Sequence, residues 1–196
     1  MKNKPTVIEK EKKYQIIYAD PAWHFGSKQL QKYSGKRFSK LDKFYENSSS
    51  EVFERLNVKE ITDSDCALFM WTTDAHIPNA LKLGEAWGFN YKTVAFIWRK
   101  LTNKGNQIST LGAWTMKNCE LCLFFTKGRM LKYKKSNNIR QLIGAERTYH
   151  SKKPDIFAKE IESLFGDLPR LEMFARDKKE GWDVWGNEVE SDINLL

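Results

Sequence analysis

Five short apolar runs recur along the chain: YQIIYA (14–19), CALFMWT (66–72), YKTVAFIW (91–98), ELCLFFT (120–126) and RLEMFA (170–175). Each has strand length and is rich in β-branched and aromatic residues, the pattern of strands buried on both faces. Between them the apolar period changes to that of helices. In SSSEVFERLN, Ser48 is an N-cap with Glu51 three residues on, a capping box, and Val52, Phe53 and Leu56 share one helical face. In IPNALKLGEAWG (77–88), Pro78 suits a first turn and Gly88 a C-terminal stop, and KPDIFAKEIESLFG (153–166) closes at Gly166. Long loops are expected from Asp20 to about Asn47 and from the end of the third strand to Lys117. This alternation predicts an α/β fold in three layers, a mostly parallel sheet covered on both faces. Ligands of such sheets bind beyond the carboxyl ends of the strands, where Asp20 to Trp23 and Ala175-Arg176 fall.

Length and composition narrow the class. The 196 residues suit one domain over 1–196, and 41% hydrophobic with 13% aromatic content excludes a disordered or collagen-like chain. No run approaches the roughly 18 apolar residues of a membrane helix, and MKNKPTVIEKEKKY lacks a secretory signal's apolar stretch. A cytoplasmic protein without a membrane partner is expected. Cys66, Cys119 and Cys122 all lie in apolar runs and are expected to be reduced core thiols without a disulfide. The net charge of +8 is uneven: residues 28–43 carry net +5 and residues 127–140 net +6, which leaves the rest of the chain at −3. Basicity therefore belongs to two segments, loops at about 24–47 and 127–140.

Several site types lack their residues. Cys119-x-x-Cys122 has no second pair or histidine cluster, and an odd strand offset puts the two thiols on opposite faces, against a zinc site. The phosphate loop, the dinucleotide Gly-x-Gly-x-x-Gly and the Gly-x-Ser-x-Gly elbow are absent. What remains is Asp20-Pro21-Ala22-Trp23 at the end of the first strand. Such a group can clamp a planar amino-heterocycle: the carboxylate accepts one amino hydrogen, a backbone carbonyl accepts the other, and the ring stacks. Taken alone, the same four residues also make an Asp-Pro turn with a core tryptophan.

The surrounding blocks decide between these. ADPAW, LFMWTT, AFIWRK, NCELCLFFTKG, HSKKPD and RLEMFARDKKEGWDVWGNEV, in this order, resemble the MT-A family, adenine methyltransferases related to the seventy-kilodalton catalytic subunit of messenger-RNA adenosine methyltransferase. The resemblance runs from about Ile16 to Val189 and is strongest to short bacterial and phage DNA enzymes. It implies a Rossmann-like S-adenosylmethionine-dependent fold in permuted order, with the catalytic tetrapeptide ahead of the cofactor-binding strand. The family's usual motif is Asp-Pro-Pro-aromatic; Ala22 departs from it, losing ring rigidity but keeping the Pro21 carbonyl.

By that resemblance Asp20, Pro21 and Trp23 are catalytic, transferring a methyl group from S-adenosylmethionine to the adenine N6 amino nitrogen with no metal. Asp20, His150, Ser151, Lys152, Glu172, Arg176, Asn187 and Glu188 are implied to bind the cofactor. Tyr45 and Trp98 match positions beside the target base, although aromatics there suit a core equally, and Lys117, Asn118 and Glu120 border the same region. Lys36 and Arg37 in the first basic window, with Lys132, Lys134 and Lys135 in the second, mix charge with aromatic neighbours as a nucleic-acid surface does. DNA is the expected substrate, ahead of RNA. A catalytically silent nucleic-acid-binding subunit of the same fold is the alternative of another class. The short length leaves sequence specificity to be short, carried by the basic loops, or supplied by a second copy or a partner subunit.

Overall fold

The computed structural model describes residues 12–23, 50–148 and 152–196, excepting the side chains of 50 and 51. Of the residues named above, Lys36, Arg37, Tyr45, Ser48, the Glu51 side chain, His150 and Ser151 lie outside it. The described elements run β1 (Tyr14–Ala19), α1 (Ser50–Glu54), α2 (Val58–Ile61), β2 (Thr62–Thr72), a 3-10 turn (Asp74–His76) leading into α3 (Ile77–Ala86), β3 (Asn90–Leu101) and β4 (Cys119–Lys127). A second 3-10 turn (Met130–Tyr133), β5 (Leu142–Glu146), α4 (Ile156–Phe165), β6 (Arg170–Met173) and β7 (Asp183–Trp185) follow.

The seven strands form one sheet in the order β5-β3-β4-β2-β1-β6-β7. β1 lies inside it, paired in parallel with β2 and with β6, which explains its unbroken apolar run. β7 and β5 also pair in parallel, with β6 and β3. β4 runs against both of its neighbours. It does so because β3 returns through a paired ribbon and not through a crossover helix, and an antiparallel return needs no crossover.

Side-chain alternation sorts the strands into two cores. Ile17, Ala19, Leu68 and Met70 face Phe53, Val58, Ala80 and Leu83 of α1, α2 and α3. Ile16, Tyr18, Phe69, Trp71 and Phe96 face Phe157, Ile161 and Phe165 of α4. The expected three-layer α/β arrangement is thus present. α2, β5 and β7 extend it beyond the predicted elements. β5 is an edge strand whose Leu142 is 59% exposed, so no apolar stripe announced it. Cys66 and Cys122 are buried as expected, but Cys119 is exposed: it opens β4, where the strand has only begun to enter the sheet. No helix among the described residues is long and apolar enough to cross a membrane.

Candidate active site

The parallel strands β1, β2, β6 and β7 end at one edge of the sheet, and there the chain delivers Asp20, Thr72 and Thr73, Phe174 and Arg176, and Asn187 and Glu188. Because β4 is inverted, its first residues reach the same edge and add Glu120. These groups, with Pro21, Trp23 and Lys153, line a cavity of about 310 Å³.

β1 ends in Asp-Pro because the sheet ends there. The Asp20 N–H still bonds the Met173 carbonyl at 3.4 Å, but Pro21 has no N–H to continue the ladder. The Trp23 N–H then donates to the Pro21 carbonyl at 2.9 Å, a three-residue turn that swings the indole back over the cavity. Its Nε1 donates to the Trp71 carbonyl at 2.8 Å, and its ring lies 5.9 Å from His76, tilted 21°. Trp23 is half-buried at the rim, packed on the core edge, and it lines the cavity.

Beneath it runs a row of alternating charges. Lys153, whose side chain is 8% exposed, bonds Asp20 Oδ2 at 2.5 Å and lies 3.2 Å from Glu120 Oε2. Glu120 Oε1 takes a second ammonium, Lys100. Burial pushes the Asp20 carboxyl above its ordinary value, against the pull of Lys153. Burial also disfavours the Lys153 ammonium, but Asp20 and Glu120 outweigh it and hold Lys153 above its usual range. Glu120 goes the other way: burial raises it, yet Lys153 and Lys100 bring it below the usual carboxylate value. The Lys153 ammonium stands 5.4 Å over the Trp71 ring, whose Nε1 donates to the Tyr18 hydroxyl at 2.7 Å.

A smaller cavity of about 100 Å³ adjoins, sharing Asp20, Lys153, Phe174 and Arg176. Glu172 lines it, bonded to Lys179 at 2.8 Å, with its carboxyl raised by burial. Phe174 forms part of both walls at φ 64°, the one non-glycine positive φ among the described residues. Its ring is wedged edge-on between Phe53 and Trp185, with centroids at 5.1 and 5.5 Å, packing that keeps the backbone in a sparsely populated region.

The far wall depends on Gly186. A Cβ there would sit 2.1 Å from the Ala175 carbonyl oxygen and 2.8 Å from its nitrogen, the atom that bonds the Trp185 carbonyl at 3.0 Å. Gly186→Ala is therefore expected to pry β7 from β6 and to cost about 1–3 kcal/mol in urea unfolding, displacing Asn187 and Glu188 with it.

The structure thus brings Asp20, Pro21, Trp23, Arg176, Asn187 and Glu188 around one cavity and Glu172 and Lys152 around its neighbour, where Lys152 pairs with Asp177 at 2.8 Å. It does not bring Trp98 there. That ring is 0% exposed, stands edge-on to Trp71, and donates Nε1 to the Ala145 carbonyl at 2.9 Å, so it belongs to the core. Nor does it bring Lys132, Lys134 or Lys135: they follow the end of inverted β4, at the opposite edge of the sheet. There Lys132 pairs with Asp65 at 2.6 Å, and Lys134 rims a separate cavity of about 530 Å³ with an apolar floor. Lys153 was missed by the sequence reading, which named its neighbour. Both lysines line the smaller cavity, and only Lys153 also reaches the larger one and Asp20, a difference that two adjacent lysines do not reveal in the sequence.

Comparison with known proteins identifies the family. The MT-A70 family model matches residues 14–188. The type II methyltransferase M.MunI of Mycoplasma sp is 40% identical over 189 residues, covering 91% of this chain and 78% of that protein. A probable N(6)-adenosine-methyltransferase MT-A70-like protein of Oryza sativa subsp. japonica is 26% identical over 180 residues, 90% of this chain and 23% of its own. The N(6)-adenine-specific methyltransferase METTL4 of Mus musculus is 24% identical over 189 residues, 91% of this chain and 38% of its own.

Proposed function

The chain belongs to the MT-A70 family, and from that premise we propose that it transfers a methyl group from S-adenosylmethionine to the N6 amino group of adenine in cytoplasmic DNA. One observation carries the reading: a carboxylate, a backbone carbonyl and a half-buried indole from four consecutive residues meet at the mouth of a cavity already lined by Lys153, Arg176, Asn187 and Glu188.

The cavity's donor set fits the cofactor. Its methionine end carries a carboxylate, for which Lys153 offers a cation on the cavity wall. Glu188, Asn187 and Arg176 supply acceptors and donors for ribose hydroxyls at the strand ends. The combined space of the two adjoining cavities suits a ligand of that size. When bound, S-adenosylmethionine supplies an electrophilic methyl group on a sulfonium.

The protein's task is to make a poor nucleophile attack. The adenine amino lone pair is delocalised into the ring, and it becomes available as the nitrogen turns tetrahedral. Lys153 occupies Asp20 Oδ2, which leaves Oδ1 to accept one amino hydrogen. The Pro21 carbonyl has a second lone pair beyond the one taken by Trp23 N–H, and it accepts the other. Both bonds strengthen as positive charge grows on the nitrogen, which lowers the barrier and not merely the ground state. Trp23, fixed through its Nε1, holds the base face in register.

The test is incubation of the purified protein with methyl-labelled S-adenosylmethionine and unmethylated DNA or RNA, followed by digestion to nucleosides. Label in N6-methyldeoxyadenosine supports the reading. Label confined to N6-methyladenosine from RNA replaces the substrate, and cofactor binding without label in either pool leaves a silent subunit.

A further inference from the structure

The connection from β3 to β4 is a paired ribbon standing off the sheet. The Ile108 N–H donates to the Lys100 carbonyl at 2.9 Å, and Thr110 and Lys117 exchange both backbone bonds at 2.8 Å. The Gln107 side-chain amide ties the ribbon's base by bonding the Lys100, Ile108 and Asn118 carbonyls. At the tip the turn is tight: a Cβ at Gly112 would meet the Thr115 carbonyl at 2.5 Å. This ordered tip presents Trp114 at 96% exposure, Leu111 at 90% and Met116 at 52%. A fixed backbone that holds a tryptophan and a leucine in water marks a surface made for contact.

Its place and charge indicate the partner. The ribbon grows from the active site: Lys100 at its base bonds Glu120 in the row leading to Asp20, and Lys117 bonds Asp74, next to Thr73 of the cavity wall. The turn carrying Asp74 also holds His76 against Trp23. The tip is therefore anchored twice to the rim through which an adenine must enter. Residues 102–118 contain Lys104 and Lys117 and no acid, and Arg99 and Lys104 are exposed. An apolar tip on a basic, acid-free stem is complementary to a polyanion whose interior is a stack of flat rings.

We propose that the 111–116 tip is a wedge that enters the DNA base stack beside the target adenine, with Trp114 filling the space the adenine leaves as it swings into the cavity. The proposal rests on the adenine-DNA reading above. The N6 amino group of a paired adenine sits inside the duplex, so the base must leave the stack to be methylated. A planar ring inserted at that step replaces part of the lost stacking, as inserted apolar side chains do elsewhere.

The experiment compares wild type, Trp114→Ala and Trp114→Phe on two duplexes built around an adenine that wild type modifies. In one the target is paired with thymine; in the other the opposing base is absent, so the adenine is already loose. The wedge predicts a loss of about tenfold or more in single-turnover rate for Trp114→Ala on the paired duplex, no more than about threefold on the gapped one, and near wild-type rates for Trp114→Phe. Equal loss on both duplexes, or none on either, overturns it. So does equal loss accompanied by dissociation of a wild-type oligomer in sedimentation, which would make the tip a protein-protein contact. A second readout needs no methylation: wild type but not Trp114→Ala should unwind relaxed plasmid in a topoisomerase assay. Equal unwinding by both sinks the wedge, whereas unwinding lost in Trp114→Ala with no adenine labelled by wild type sinks the methyltransferase reading and leaves the wedge standing.

Discussion

Asp20→Ala is expected to lower the rate of N6-adenine methylation by about a thousandfold while leaving the fold in place. The size follows from the role proposed for the carboxylate, accepting a hydrogen bond that strengthens as charge develops on the amino nitrogen; removing one such preorganised group typically costs about 10²–10³-fold in kcat. The fold should tolerate the loss because Lys153, stripped of Asp20, still has Glu120 at 3.2 Å and the Trp71 ring beneath it. Asp20→Asn keeps the shape and one acceptor oxygen but loses the charge, so it should fall between alanine and wild type. The measurements are N6-methyldeoxyadenosine formed per enzyme by mass spectrometry, together with thermal melting to confirm folding. A folded alanine variant that retains a tenth of the activity would mean that the amino hydrogen is accepted elsewhere.

The prominence of Asp20 in the sequence has a physical basis. An apolar run buried on both sides and halted by Asp-Pro predicts a polar group at a strand's carboxyl end, and β1 lies in the sheet interior with its end at the cavity. Pattern carries that much because burial and backbone pairing are local properties. Strand direction is not. CELCLFFTK reads equally well in either sense, so its pattern could not show that β4 is inverted or that Lys132, Lys134 and Lys135 lie at the far edge; Glu120 was placed near the site by the resemblance and not by the strand pattern. β5 and β7 were hidden for a related reason: a five-residue edge strand and a three-residue strand bury too little to leave a stripe. Trp98 and Trp23 show the same limit among aromatics. Both end or follow apolar runs; one is sealed in the core by an indole bond to β5, the other is tethered at the rim by an indole bond to β2.

Lys153→Met is expected to act on rate, pH dependence and stability together. Lys153 is the cation that Asp20 and Glu120 share, and in the proposed site it also meets the cofactor's carboxylate, so KM for S-adenosylmethionine should rise and kcat/KM fall by about 10²-fold. The pH profile separates this from a binding defect alone. Burial already raises the Asp20 carboxyl and Lys153 opposes that rise, so removing Lys153 must raise it further. The proposed mechanism needs ionised Asp20; activity should therefore disappear as pH falls through that group, and the acid limb of kcat should lie at higher pH in the variant than in wild type. Stability shifts with the opposite sense. A carboxyl whose folded value is raised above its unfolded one favours the folded state at low pH, and that contribution is lost as pH rises through the folded value. The variant should thus melt closest to wild type in acid. At neutral pH it should lose about 3 kcal/mol, the low end for a broken buried pair, because Asp20 is 28% exposed and Glu120 keeps Lys100. Lys153→Arg, which keeps the charge, should restore the wild-type acid limb even if its larger head slows turnover. An acid limb that stays put in Lys153→Met would show that Asp20's ionisation does not limit the reaction, and would return Lys153 to a purely cofactor-binding role.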